Sequence, residues 1–405
     1  VGFAKGEAMA AEARGYWATD RTVCLAHVDD PVLKSAIEDH LSEPTCSYCE
    51  IASDDSNPVA APLDDFLDAF MVGVRNLYED AEDSGVPVQP GRHVTTVYDA
   101  GDVVWTVLDE HAANGRTPDD VLASDITAAL TTQSWVRRNW QRLTPDQVWQ
   151  YSWDSFKELV KYSTRFFFTG ALGDASADDE RLSALEFFRQ LAEALSHIPE
   201  IFPQPCPQLF RGRMTPTDPD PSAYDAAKLG APPRHKASAN RMSPAGISMF
   251  YGATDLDTAV AEIGAHSSYG YAVTGEFTTA REVRLVDLTK LPEIPSIFDE
   301  QSFRSYYTIS FLHNFVRDLT LPVDLDGREH IDYVPTQVFT EYLKYSFPGR
   351  VDGLMFPSAQ GPGANVVVFY GPEFCADEGD VGDCTRLVLI RASVTKHLVT
   401  TVIKR

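Results

Sequence analysis

Apolar residues recur along the chain with two different rhythms, and the change from one to the other divides it. In the first half Phe66, Phe70, Val74 and Leu77 follow one another at steps of four and three, which predicts a helix from Asp64 to about Asp83. Thr117-Pro118-Asp119-Asp120 and Thr144-Pro145-Asp146-Gln147 each read as a helix start, with a Thr cap, proline at the first position and acids in the first turn. The second opens a run through Trp149, Trp153, Phe156 and Val160 and onward to Phe167. A further helix is predicted over Asp179–Ser196, and Pro31–His40 has the pattern of a short amphipathic helix. Residues 1–15 read as a small-residue lead-in, and Ile51–Leu63, with Asp54, Asp55, Pro58 and Pro62, as a polar linker.

Pro199, Pro203, Pro205 and Pro207 then fall within Ile198–Gln208, enough to break both a helix and a central strand, and they predict a domain boundary. Beyond it, short β-like runs appear at Ser248–Tyr251, Val283–Leu288, Asn365–Tyr370, Leu387–Arg391 and Leu398–Ile403. Helical segments lie between them, around Thr258–Gly264, Gln301–Leu319 and Thr336–Ser346. The reading is α+β: a small module at 1–60, a helical domain at 61–200 and a mixed α/β domain at 205–405. No internal repeat stands out.

With 405 residues, 44% hydrophobic and 23% charged, the chain has ample apolar content for real cores, which excludes disorder of the whole. No stretch approaches the roughly 20 apolar residues that a membrane span requires. Lys5, Glu7, Glu12 and Arg14 near the start leave no apolar segment of the secretory kind, so a cytoplasmic location is expected. The formal charge of −25 is unevenly placed, about −20 over residues 1–204 and −5 over 205–405. That balance disfavours nucleic acid as a partner. Within 211–241, however, Arg211, Arg213, Lys228, Arg234, Lys236 and Arg241 outnumber Asp218, Asp220 and Asp225. This net-positive island suits a small anionic ligand, and equally a solvated loop with scattered charges.

Six cysteines are too few for a disulfide scaffold, so their placement matters more than their number. Cys24-x2-His27 and Cys46-x2-Cys49 are two ligand pairs of the spacing that lets both side chains of a knuckle turn onto one ion. A closed structural zinc site is expected, with the predicted helix between the pairs bringing them together. Cys206, Cys375 and Cys384 are most simply free thiols, with Cys375 and Cys384 near enough in sequence to approach each other.

Walker A, G-x-S-x-G, H-E-x-x-H and dinucleotide-binding fingerprints are all missing. What remains in the second half is a set of four short elements. They are Leu209-Phe210-Arg211-Gly212-Arg213, then Asn240-Arg241-Met242-Ser243 running on to Tyr251, then Glu262 on a predicted helix, then Gly353-Leu354-Met355-Phe356-Pro357-Ser358 leading into Asn365–Phe369. In this order and spacing they resemble the RES domain family, over about residues 205–400. The N-terminal half, including the run Trp153–Phe168, is similar to the zinc-containing HEPN-like module that precedes some RES domains, with His27 where that module usually has cysteine.

The resemblance implies an ADP-ribosyltransferase-like fold and an NAD+-degrading toxin of the toxin–antitoxin or phage-defence kind, with an antitoxin or regulatory protein as partner. It implies catalytic roles for Arg211, Tyr251, Glu262 and Ser358, and cofactor binding by Arg211, Arg241, Tyr251 and Ser358. Taken singly, each of these residues has an ordinary structural reading; the order in which they occur carries the assignment. The chemistry agrees. Cleaving the nicotinamide–ribose bond of NAD+ passes through an oxocarbenium-like state, which a carboxylate such as Glu262 stabilises. Arginine forks at Arg211 and Arg241 suit the pyrophosphate, Tyr251 the nicotinamide or ribose, and Ser358 a phosphate or the nicotinamide amide.

Phosphorolysis and hydrolysis differ only in whether inorganic phosphate or water attacks, and the cationic island leans toward phosphate. Two other readings stand beside these. One is a protein ADP-ribosyltransferase using the same pocket. The other is a HEPN-like ribonuclease or nucleic-acid-binding adaptor, which requires an Arg followed closely by His. Arg75 and Arg138 lack that histidine, and Arg21 with His27 falls in the cysteine cluster.

Overall fold

The computed structural model describes residues 2–54, 57–89, 92–93, 95–112, 119–168, 180–265, 267–322 and 327–399. The chain forms two compact units, Val1–Pro145 with Glu293–Ser310, and Asp146–Pro292 with Phe311–Arg405.

The first unit holds helices α1 (Gly2–Arg14), α2 (Pro31–Glu38), α3 (Leu63–Leu77), α4 (Ala100–Val107) and α5 (Asp120–Ala129). Its strands are short: β1 (Thr22–Val23), β2 (Ala61–Pro62), β3 (Tyr78–Asp80), β4 (Val88–Gln89), β5 (Arg92–His93), β6 (Tyr98–Asp99) and β7 (Ser134–Arg137). In α3 the expected stripe is buried, with Asp64 and Asp65 in the first turn and Arg75 in the last to complement the helix dipole. It ends at Leu77, short of Asp83, because the chain turns there into β3 against β7. Gly73 lets the Phe298 ring lie directly on α3, since a Cβ would stand 2.4 Å from that ring. Ile297 and Phe298 thereby join the core of Phe66, Phe70, Val74, Val103 and Ile126.

Three further expectations change in this unit. The lead-in at 1–15 is the helix α1. The linker at Ile51–Leu63 ends in β2, paired with β1. For α5 the cap is Asp119, whose carboxylate accepts from the amides of Val121 and Leu122, while Thr117 and Pro118 lie outside the described residues.

The second unit contains α6 (Pro145–Glu158), which continues as a π-helical turn at Leu159–Ser163, then α7 (Ala184–Ser196), α8 (Ala226–Leu229), α9 (Leu256–Ala265), α10 (Phe303–Thr320), of which the part from Phe311 belongs here, α11 (Glu329–Asp332) and α12 (Val334–Tyr345). Its strands are β8 (Gln204–Pro205), β9 (Leu209–Thr215), β10 (Phe250–Ala253), β11 (Tyr271–Thr279), β12 (Arg284–Asp287), β13 (Gly353–Pro357), β14 (Ala364–Val368), β15 (Cys375–Asp377) and β16 (Leu387–Leu398). They make one nine-stranded sheet in the order β15-β16-β11-β9-β10-β14-β13-β12-β8. The pairs β12/β13 and β15/β16 are parallel and the rest antiparallel. This is the mixed α/β character expected of the second half.

The helices α6 and α7 group with this sheet unit, ahead of the proline cluster, because their aromatic faces find their partners there. Trp153 packs edge-on to Phe315 at 5.0 Å, Phe188 stacks on Tyr342 at 5.0 Å, and Phe187 meets Phe311 at 6.0 Å. Pro205 lies in the edge strand β8 and Pro203 and Pro207 flank it, where a missing N–H costs no ladder bond. The run from Trp149 leaves helical geometry at Ser163, and Phe166 and Phe167 are 87% and 86% exposed rather than part of its apolar face. Asp179 lies outside the described residues, and the helix expected there begins at Ala184 with Ser183 as its cap. The run Leu387–Arg391 opens the strand β16, which continues to Leu398, while residues 400–403 of the run expected at Leu398–Ile403 lie outside the description. Among the described residues no helix is long and apolar enough to cross a membrane.

Candidate functional site

The cysteine–histidine cluster forms in the first unit. Cys24 precedes a 3-10 turn, Leu25–His27, while Cys46 and Cys49 sit on the loop after α2. The four ligand atoms all lie within 4.8 Å of one another. Cys24 Sγ is 3.6 Å from Cys49 Sγ, and Cys46 Sγ is 3.5 Å from His27 Nε2. Bonds of about 2.0–2.3 Å to a tetrahedral ion require ligand separations of roughly 3.3–3.8 Å, so the donor set fits a metal. The Tyr48 amide donates to Cys46 Sγ at 3.4 Å, and the Asp119 carboxylate stands 3.8 Å from His27 Nδ1 on the far side of the ring. All six cysteines are free thiols, so Cys375 and Cys384 form no disulfide.

The second unit contains a cleft of about 930 Å³ on the strands β9 and β10, the helix α9 and the start of β14. Alternation along β9 puts Arg211 and Arg213 on one face, and both line the cleft. Arg211 Nε donates to the Leu229 carbonyl at 2.7 Å, Nη1 donates to the Tyr251 carbonyl, and the guanidinium lies 5.0 Å over the Phe250 ring. Arg213 Nη2 donates to the Gly230 carbonyl at 3.2 Å, while its buried Nε has no partner among the described residues. Arg241 Nη1 donates to the Leu319 carbonyl at 2.8 Å. Among the described residues none of these three guanidiniums has a carboxylate within ion-pair distance. Burial pushes Arg211 down to about 10, with neighbouring Arg213 adding to the effect, and burial also lowers Arg213 and Arg241. Uncompensated buried cations are costly, and an anion in the cleft relieves that cost. Lys236 lines the cleft as well, whereas Lys228 and Arg234 of the cationic island point elsewhere, to the Ala223 carbonyl and to Glu373.

Glu262 faces these cations from α9. Its Oε1 accepts from Ser358 Oγ at 2.5 Å and from Asn365 Nδ2 at 2.6 Å, while Oε2 has no hydrogen bond among the described residues. The Ser358 hydroxyl also accepts from the amides of Gln360 and Gly361, at 3.0 and 3.1 Å. Its proton is therefore committed to Glu262 and its lone pairs to the turn. As placed, Ser358 orients the carboxylate rather than a phosphate.

That turn joins β13 to β14 and is clamped to the start of α9. Gly363 N donates to Thr258 Oγ1 at 2.9 Å and Ala364 N to Thr254 Oγ1 at 2.9 Å. Gly361 is forced by contact, since a Cβ there would fall 2.7 Å from Thr258 Cα, while one on Gly363 would fall 1.8 Å from Asp255 Oδ2 and displace that carboxylate. Tyr251 bonds Ser243 through its hydroxyl at 2.8 Å, and burial raises its phenol, which stays neutral.

Arg211, Arg241, Tyr251 and Glu262 thus share one cleft, with Ser358 behind Glu262. Asn365 is a site residue that the sequence reading passed over. The only signal was a polar residue opening an otherwise apolar strand. Of the arginines weighed for a nuclease, Arg75 donates to the Ala13 and Arg14 carbonyls, Arg138 to the Arg75 carbonyl, and Arg21 pairs with Asp125 at 3.0 Å.

Comparison with known proteins divides the chain differently from the two compact units: one family match runs from the first unit on through α6, and the other takes in residues 293–310 of the first unit. No curated protein sequence matches significantly. A solved structure that aligns is that of the M. tuberculosis MbcT-MbcA toxin-antitoxin complex, at 13% identity and a TM-score of 0.27, over 52% of this chain and 92% of that one. Two family models match, HEPN/RES N-terminal domain 1 over residues 39–172 and RES domain over residues 213–386. Arg241, Tyr251, Glu262 and Ser358 fall inside the second match and Arg211 two residues ahead of it. The chain carries a HEPN/RES N-terminal domain 1 ahead of a RES domain.

Proposed function

We propose that the cleft binds NAD+ and cleaves its nicotinamide–ribose bond. The observation that carries this reading is the pairing of three guanidiniums, which among the described residues lack carboxylate partners, with the carboxylate of Glu262, pinned by Ser358 and Asn365. The cations suit the pyrophosphate, through planar forks that match its oxygens. Glu262 suits the ribose, where its free oxygen holds a hydroxyl and offsets the positive charge that builds at C1′. The C1′–N bond breaks with its electron pair leaving on nicotinamide, which departs neutral and needs no strong acid. An oxygen of inorganic phosphate, or of water that releases its proton, then bonds to C1′. Excluding water from the cleft strengthens the Glu262 effect, which we place at several kcal/mol.

The cluster in the first unit is proposed to hold zinc on Cys24, His27, Cys46 and Cys49. Four protein ligands leave no open position, so the ion's part would be to tie the 22–49 segment together. In functional terms residues 1–60 are taken as the metal module, 61–200 as the HEPN-like domain and 205–405 as the catalytic RES domain. The setting proposed is a toxin held by an antitoxin or regulatory protein.

The test is to incubate the full chain with NAD+, with and without inorganic phosphate, and to identify the products by mass. ADP-ribose 1″-phosphate that depends on phosphate establishes phosphorolysis, and free ADP-ribose hydrolysis. Nicotinamide release only with an added protein acceptor establishes ADP-ribosyl transfer. No loss of NAD+ by a folded, metal-loaded chain under any of these conditions overturns the reading.

A further inference from the structure

Arg241 differs from Arg211 and Arg213 in lying on a turn outside the sheet, closed by paired backbone bonds between Asn240 and Ser243. Helices hold that turn. Leu319, in the last turn of α10, accepts from the guanidinium, as a helix C-terminus favours. Tyr333 places its ring 5.8 Å from the guanidinium, and on α12 the Thr336 hydroxyl donates to the Arg241 carbonyl.

The residues just before Leu319 and Tyr333 are Asp318 and Asp332, and both are gripped by the helix that begins at Pro145. Lys157 Nζ lies 2.9 Å from Asp318, which also accepts from Trp153 Nε1 at 2.6 Å. One turn further on, Lys161 Nζ lies 2.8 Å from Asp332. All four charged side chains are mostly buried, so each pair is screened far less than a surface ion pair. Two ion pairs, spaced four residues apart on α6 and its π-helical turn, thus each sit one residue away from a group that touches Arg241.

We propose that Lys157 and Lys161 are positioning residues for anion binding in the cleft, acting on Arg241 through Asp318 and Asp332. Both lysines lie in the stretch matched by the HEPN/RES N-terminal domain and not in the RES match, so the helix ahead of the RES domain completes its site. The proposal rests on reading the cleft as an NAD+ site. A guanidinium displaced by an ångström holds the pyrophosphate poorly while leaving Glu262 in place, so binding should suffer more than turnover.

The experiment compares the full chain with Lys157→Met/Lys161→Met and with Lys157→Arg/Lys161→Arg, each with and without Arg241→Ala. The methionine pair is expected to raise KM for NAD+ about tenfold with kcat within about twofold, and the arginine pair to restore most of it. On Arg241→Ala the methionine pair should add nothing, since the residue it positions is gone. Without NAD+, backbone amide exchange across residues 238–246 should speed up in the methionine pair. Unchanged exchange there, or an equal KM rise on the Arg241→Ala background, overturns the proposal. If the wild type does not consume NAD+ at all, the reading of the cleft falls, and the exchange measurement by itself decides whether the lysines set Arg241.

Discussion

The cysteine–histidine cluster of the first unit and the cleft of the second are both polar sites, but they are assembled on different scales. The cluster gathers its four ligands from Cys24 to Cys49, two tight pairs either side of one short helix. The cleft gathers its groups from Arg211 to Asn365, and only the strand order brings β9, β10 and β14 side by side. A site with one centre should fail all at once when that centre is removed. A site built from register should fail piece by piece.

Removing the metal proposed for the cluster is the strongest way to break the comparison. Chelation, or Cys46→Ser with Cys49→Ser, is expected to cost the first unit about 5 kcal/mol or more, on the scale of structural zinc sites. Metal content and denaturant midpoints check it, and a midpoint that ignores chelation would remove the cluster's structural role. In the cleft, Glu262→Gln is expected to lower NAD+ turnover about a thousandfold, close to 4 kcal/mol, with the melting temperature unchanged.

Acid sharpens the contrast further. His111, in the first unit, is held down at about 4 by burial, with Arg137 adding to it. Between about pH 6.5 and 4 the unfolded chain takes up a proton at this residue and the folded chain does not. Its contribution is therefore present above about pH 6.5 and lost as pH falls toward 4, by at most about 3 kcal/mol. Stability of the first unit measured against pH should show this slope, and His111→Gln should flatten it. The smallest effect expected is at Ser358. Its replacement by Ala removes one charge-assisted bond to Glu262 and leaves the Asn365 bond, so turnover should drop about tenfold in kcat with little change in KM.

The two sites were also unequally legible. The cluster could be read from spacing, because two short turns close on each other wherever the intervening chain runs. The cleft's residues could be named only through their order along the family pattern. Neither β9, LFRGRMT, nor β11, YAVTGEFTT, shows the apolar alternation of a strand, although they pair along their length at the middle of the sheet. Their polar positions face the cleft or are absorbed by hydrogen bonds, as when Thr274 meets His397. Asn365 was hidden for the reason that makes it useful, a lone polar group at the mouth of an apolar strand. Ser358 was visible, but its role depends on where its proton goes, which no sequence pattern records. The proline cluster was a strong signal of a break and a weak signal of a boundary. Which unit α6 and α7 join is decided by rings such as Phe315 and Phe339, more than a hundred residues away.

The clamp of Gly361 and Gly363 against Thr258 and Asp255 has a genetic consequence. Every other amino acid brings a Cβ, so at Gly361 every missense change, whatever the codon, drives an atom against the Thr258 backbone, and at Gly363 it displaces the Asp255 carboxylate. If the chain poisons the cell that makes it, a culture forced to express it without a partner is under selection for such changes. Survivors should carry substitutions at these two glycines alongside those at Glu262, and their proteins should still accumulate with the first unit folded.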